Sequence, residues 1–173
     1  MRPSRVIQMA ALTWLLSVAA LAVAPGPARA QRASSRSTDS VSAIAAATSL
    51  LEAISTRDAA RARPLMLPGA QLVSVSDPAM ATAAPRVQTD SAFLASLAAP
   101  GPRYLERMWE PVLFLQGPMA TIHAPYDFHV DGAFSHCGVD SFTLVKSQGV
   151  WRVSHIAYTV QRTGCAPSPL GAP

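Results

Sequence analysis

Two tight reversals, Asp131-Gly132 and Gln148-Gly149, constrain this chain more than any other feature. Each puts a Gly where a two-residue hairpin needs a positive φ, and each is flanked by alternating or β-rich residues. They divide Met119 to Gln161 into three consecutive antiparallel strands. Strand side chains alternate faces, so the turns also dictate which side chains look the same way, as long as no strand carries an extra residue.

With Val130 opposite Ala133, Asp127 is expected opposite His136, and His123 opposite Asp140. With Ser147 opposite Val150, Phe142 is expected opposite His155. His123, Asp127, His136, Asp140 and His155 then share a face with Phe142, Leu144, Trp151 and Val153. If that face is concave, an Asp–His pair in an apolar pocket offers general acid/base chemistry, the carboxylate orienting the imidazole. Asp140 with His155 or His123 is the catalytic candidate; Asp127, His136, Trp109, Trp151 and Phe142 are the candidate binding residues. The two tryptophans fit plain core as readily as a pocket wall. If the face is instead the outer one, then Tyr126, Phe128, Val139, Ile156, Tyr158 and Val160 form the core. The polar pairs are then surface contacts worth under about 1 kcal/mol each.

Other chemistries find little support. Three His and two Asp on one face could hold a divalent ion, but no tight ligand spacing backs it, and no metal site is expected. No Gly-rich phosphate loop follows a strand, and no cofactor is expected. Ser135-His136 and Ser154-His155 point to opposite strand faces, so neither is a nucleophile–base pair.

Residues 1–30 read as a secretory leader. Arg2 and Arg5 precede an apolar run from Ala10 to Ala24, Pro25-Gly26-Pro27 breaks it, and Ala28-Arg29-Ala30 offers a small–x–small cleavage site. An uncleaved membrane anchor is the alternative. The chain is thus expected to be exported, periplasmic or secreted, with no membrane contact after cleavage. Three of the 14 basic residues leave with that leader, so the formal charge falls from +4 to +1. No basic cluster remains to follow a phosphate backbone, and nucleic acid is not an expected partner.

Cys137 and Cys165 are the two cysteines, and an exported protein permits a disulfide between them. The register sets Cys137 opposite Val160, so a bridge requires the chain to turn back near Gly164. The alternative is a buried Cys137 and a free Cys165.

Upstream, residues 31–38 read as a disordered leader. Thr38 or Asp39 can cap a helix with Val41, Ile44, Ala45, Thr48 and Leu51 at helical spacing. Asp58 caps a short second helix, Gln71 to Ser76 is a strand, Asp77 to Arg86 is a loop, and Thr89 caps a third helix ending near Leu97. Tyr104 to Trp109 is a strand, with a bulge or edge at Pro111 before it resumes at Val112. Residues 165–173 form a Pro/Gly/Ala tail read as disordered, leaving one domain over 39–164. The order of elements gives an α+β fold, with helices on one face of a curved antiparallel sheet.

That order, together with Trp109-Glu110-Pro111, Ala124-Pro125-Tyr126-Asp127-Phe128, Phe134 through Asp140 and Gly149 through His155, resembles the nuclear transport factor 2-like superfamily. This group includes the SnoaL-like polyketide cyclases and the ketosteroid isomerases. The resemblance covers about Ser40 to Gly164 and is greatest to small exported bacterial members without an assigned reaction. It implies a cone-shaped barrel, a pocket between helices and concave sheet, and frequent homodimers through the sheet. It implies no single activity, since the fold hosts enzymes, carriers and adaptors. No string here matches the carboxylate, Tyr and Asp positions of the steroid isomerases. The function expected is a small-ligand-binding or accessory domain taking an apolar or carbonyl-containing ligand. The rival is a cofactor-free lyase or isomerase using the Asp–His pairs.

Overall fold

A computed structural model describes residues 27–76 and 84–173. The apolar part of the expected leader, and most of the Asp77–Arg86 loop, lie outside the described residues. Three helices, α1 (Pro27–Ser55), α2 (Ala59–Ala62) and α3 (Asp90–Ala98), pack on one face of a sheet of seven strands. These are β1 (Met66–Ser76), β2 (Arg86–Thr89), β3 (Tyr104–Met108), β4 (Val112–Gln116), β5 (Met119–Val130), β6 (Ala133–Ser147) and β7 (Val150–Val160). The strand order is β2-β1-β7-β6-β5-β3, with β4 following β3 along the same edge of β5. The sheet is open rather than a closed barrel, and it is mixed rather than antiparallel, because β1 runs parallel to β7.

Residues 31–38 continue α1 instead of forming a loose leader. Nothing there breaks a helix, and Thr38 and Ser40 turn their hydroxyls back onto the preceding turn. Asp39 therefore sits inside the helix rather than capping it, and it pairs with Lys146 of β6. The buried stripe of α1 is Ala43, Ala47, Leu50, Leu51, Ala53 and Ile54, its alanines letting the helix lie close to the sheet.

The helix ends in a Schellman motif: Asp58 N–H donates to Ala53 O at 2.9 Å, and Arg57 N–H to Ile54 O at 3.0 Å. Arg57 takes the left-handed position, φ +54°, where Gly is usual. Its side chain explains the exception. The guanidinium donates to Ser96 O (2.8 Å) and Ala99 O (2.6 Å) at the end of α3 and lies 4.7 Å from the Tyr104 ring centroid. Asp58 then caps α2, and Thr89 caps α3.

Both hairpins turn where expected, but β6 and β7 each carry one extra residue. Phe128 pairs with His136 while His129 pairs with Phe134, leaving Ser135 as a bulge. Thr143 pairs with His155 while Leu144 pairs with Val153, leaving Ser154 as a second bulge. Each bulge slips the register by one residue beyond it and exchanges faces for the side chains that follow. The helix-covered inner face thus holds Ile122, Tyr126, Phe128, Asp140, Phe142 and Ile156.

Candidate active site: a carboxyl-bearing inner cavity

The bulges undo the expected polar stripe. Asp140 pairs with Ala124 and Tyr158, not with His123, and points into the core at 1 % exposure. His123 pairs with Ser141 and is exposed on the outer face; His155 pairs with Thr143 on that same outer face. The sheet therefore separates Asp140 from both histidines, and the proposed catalytic trio does not assemble. His136 pairs with Phe128 on the inner face, whereas Asp127 pairs with Cys137 on the outer one, so that pair is also divided. Trp151 is buried core beneath Lys146, and Trp109, half-buried, lines neither the inner cavity nor the groove described below.

The inner cavity lies between α1, α3 and the sheet, with a volume of about 310 Å³, at the low end for small-molecule sites. Leu97, Phe128, Phe142 and Ile156 give it apolar walls; Glu106, His136, Asp140 and Tyr158 give it polar points. Burial pushes the Asp140 carboxyl up to about 8, and its Oδ2 has no hydrogen-bond partner among the described residues. Glu106 is half-buried and lines the same cavity. Burial first, then the charge of Asp140, raise its carboxyl well above the ordinary range. Two carboxyls facing one apolar space resist ionising together, and Asp140 keeps its proton at neutral pH.

The surrounding groups are neutral as well. Burial, reinforced by the charge of Arg162, lowers His136 to about 4, and its ring stacks on Phe128 at 4.9 Å. Burial raises Tyr126 and Tyr158, with the nearby carboxyls adding to it. Tyr104, Phe128 and His136 follow one another along one wall, Tyr104 tilted against Phe128 and Phe128 stacked on His136, with Arg57 over the ring of Tyr104. A second opening, a groove of about 650 Å³ between α1 and β3, meets the inner cavity at Leu51 and Glu106, which line both.

Glu106 was absent from the sequence reading, although alternation alone puts Tyr104, Glu106 and Met108 on one face with a charge amid apolar neighbours. Two outer-face residues were missed on the same grounds. Arg107 forks onto Asp127 through Nε (2.9 Å) and Nη2 (2.5 Å), and His129 shares the Asp127 face of β5 whatever the register. Burial would raise the Asp127 carboxyl, but the hydrogen bonds from Arg107, with His129 nearby adding to them, outweigh it and hold the group below its usual range.

Cys137 and Cys165 form a disulfide with Cα atoms 6.1 Å apart. The Ser154 bulge brings Gln161, not Val160, opposite Cys137, and Gly164 at φ +72° turns the chain back. The tail beyond Cys165 lies against the outer face instead of hanging free.

The architecture matches solved proteins of the nuclear transport factor 2-like class. One from Novosphingobium aromaticivorans, described as having a cystatin-like fold, is 13% identical with a TM-score of 0.63, covering 82% of this chain and 93% of that one. A protein of unknown function from Silicibacter pomeroyi is 17% identical with a TM-score of 0.54, over 73% and 98% of the two chains. A Streptomyces avermitilis protein provisionally described as a dehydratase of that class is 14% identical with a TM-score of 0.58, over 72% and 97%. No protein-family profile matches the sequence, and a search of curated proteins finds no relative. The chain has the nuclear transport factor 2-like α+β fold.

Proposed function

We propose that this chain is a small-ligand-binding domain whose inner cavity takes a mainly apolar molecule bearing one carbonyl oxygen. The observation that carries this is the Asp140 carboxyl: buried on an apolar wall, protonated at neutral pH, and without a partner for Oδ2. A neutral carboxyl in such a place is a hydrogen-bond donor waiting for an acceptor, and leaving it unfilled costs free energy.

Ligand-observed NMR with a panel of small cyclic enones tests the reading. Saturation transfer should be seen with the wild-type chain, weaken above pH 8 as Asp140 loses its proton, and vanish in Asp140→Leu. Signals that persist unchanged in Asp140→Leu would refute it.

A second reading is favoured by Glu106. Two carboxyls of raised pKa facing one cavity can act as proton donor and acceptor in turn, which suits a cofactor-free isomerase or lyase. The provisional description of the Streptomyces relative agrees with it. Slow exchange of α-protons on a bound enone into D2O, lost in Glu106→Gln, would mark catalysis.

We also take the chain to be exported after cleavage near Ala30. The basic start, apolar run and small–x–small site support this, and a Cys137–Cys165 bridge suits an oxidising compartment. A homodimer through the outer sheet face is supported by exposed Val112, Phe114, Met119 and Val139 there.

A further inference from the structure

A different cavity, of about 450 Å³, lies on the outer face between β3, β5 and the C-terminal tail. Its floor is Arg107, Asp127 and His129; Phe134 forms one side, and Cys165 to Pro167 and residues near the end of the tail roof it. His129 is 6 % exposed, yet neither ring nitrogen has a good hydrogen bond among the described residues. Nε2 stands 3.4 Å from Asp127 Oδ2, longer than a normal N–H···O bond, and Nδ1 has nothing.

We propose that this cavity is a second binding site, in which His129 Nδ1 accepts a hydrogen bond from the hydroxyl of a small phenol-like molecule. Asp127 is held as an anion by the Arg107 fork, and with the imidazole proton on Nε2 toward it, the Nδ1 lone pair of this cavity-lining residue is left without a donor. A buried acceptor of that kind needs a donor from outside the fold. The other walls set the body of the molecule. The Phe134 ring stands edge-on to His129 at 5.7 Å, and Ala166 and Pro167 offer flat apolar surface, which suits a planar ring more than a flexible polar chain. The roof is held by one covalent link, Cys137–Cys165, so the site is complete only while that bond is oxidised.

The test titrates 4-fluorophenol into the full oxidised chain carrying 15N-labelled histidine. The chain has four His, so each ring can be followed. The expected result is a saturable shift of His129 Nδ1, with 4-fluoroanisole, which lacks the hydroxyl donor, causing none. Cys165→Ser should weaken the phenol at least tenfold by freeing the roof. Equal shifts with the anisole, movement confined to His136 in the inner cavity, or unchanged affinity in Cys165→Ser would each overturn the proposal.

Discussion

Tyr126 lies across from Gly138, and its hydroxyl donates to Thr159 O 2.7 Å away on the far side of that glycine. The phenol covers the backbone that a side chain at 138 would otherwise fill. A Cβ built there would sit 2.0 Å from Thr159 O and 2.8 Å from the Tyr126 ring. Backbone cannot yield as a flexible side chain can. Gly138→Ala should therefore lower stability by about 3 kcal/mol, read as a shift in the urea midpoint. An unchanged midpoint would mean that the close approach is not needed.

The inner cavity makes stability depend on pH in a definite direction. Asp140 keeps its proton up to about 8 when folded but releases it near 3.8 when unfolded, so its contribution falls as pH rises through that window. His136 works the other way: about 4 folded against 6.5 unfolded, so its contribution grows from pH 4 to 6.5 and is complete above. Between 6.5 and 8 the His136 contribution is complete while that of Asp140 still falls. Stability should decline there by up to about 1.4 kcal/mol per pH unit, and Asp140→Asn should flatten the decline. Chemical denaturation across that range measures it, and a level wild-type profile would contradict the assignment.

Arg107 and Asp127 are both largely buried, at 15% and 7% side-chain exposure. Removing either partner alone strands a charge beside His129 and should cost about 3 kcal/mol or more. Replacing both with apolar residues, as in Arg107→Met with Asp127→Leu, should recover most of that loss. Thermal unfolding of the four proteins completes the cycle, and strictly additive losses would show that the two charges act independently.

The outer sheet face leaves Phe114 64 % and Val112 55 % exposed on neighbouring positions of one edge strand. Sedimentation of the wild-type chain should give a dimer at tens of micromolar, and Val112→Lys with Phe114→Lys should give a monomer of unchanged fold. A monomeric wild type would remove the dimer reading.

Much of the architecture was legible because it rests on local chemistry. The Gly turns, the Asp58 and Thr89 caps and the break at Pro111 all act within a few residues of where they are written. The site was not legible because it rests on two bulges that no turn residue announces. Ser135 and Ser154 look like ordinary alternating strand residues, so Asp140 and His136 were assigned partners one step out of register. The parallel β1–β7 pairing was hidden for a related reason: strand neighbours distant in sequence carry no local signature. Glu106, Arg107 and His129 needed no register and could have been found by parity alone.

The two bulged serines give the chain uneven tolerance to losing a residue. Excising Ser135 or Ser154 would leave every other cross-strand neighbour in place, since neither has a counterpart opposite. Excising any paired residue of β6 between them would turn part of the cavity lining out toward solvent. Natural length variation in this hairpin can therefore gather at those two serines without disturbing Asp140.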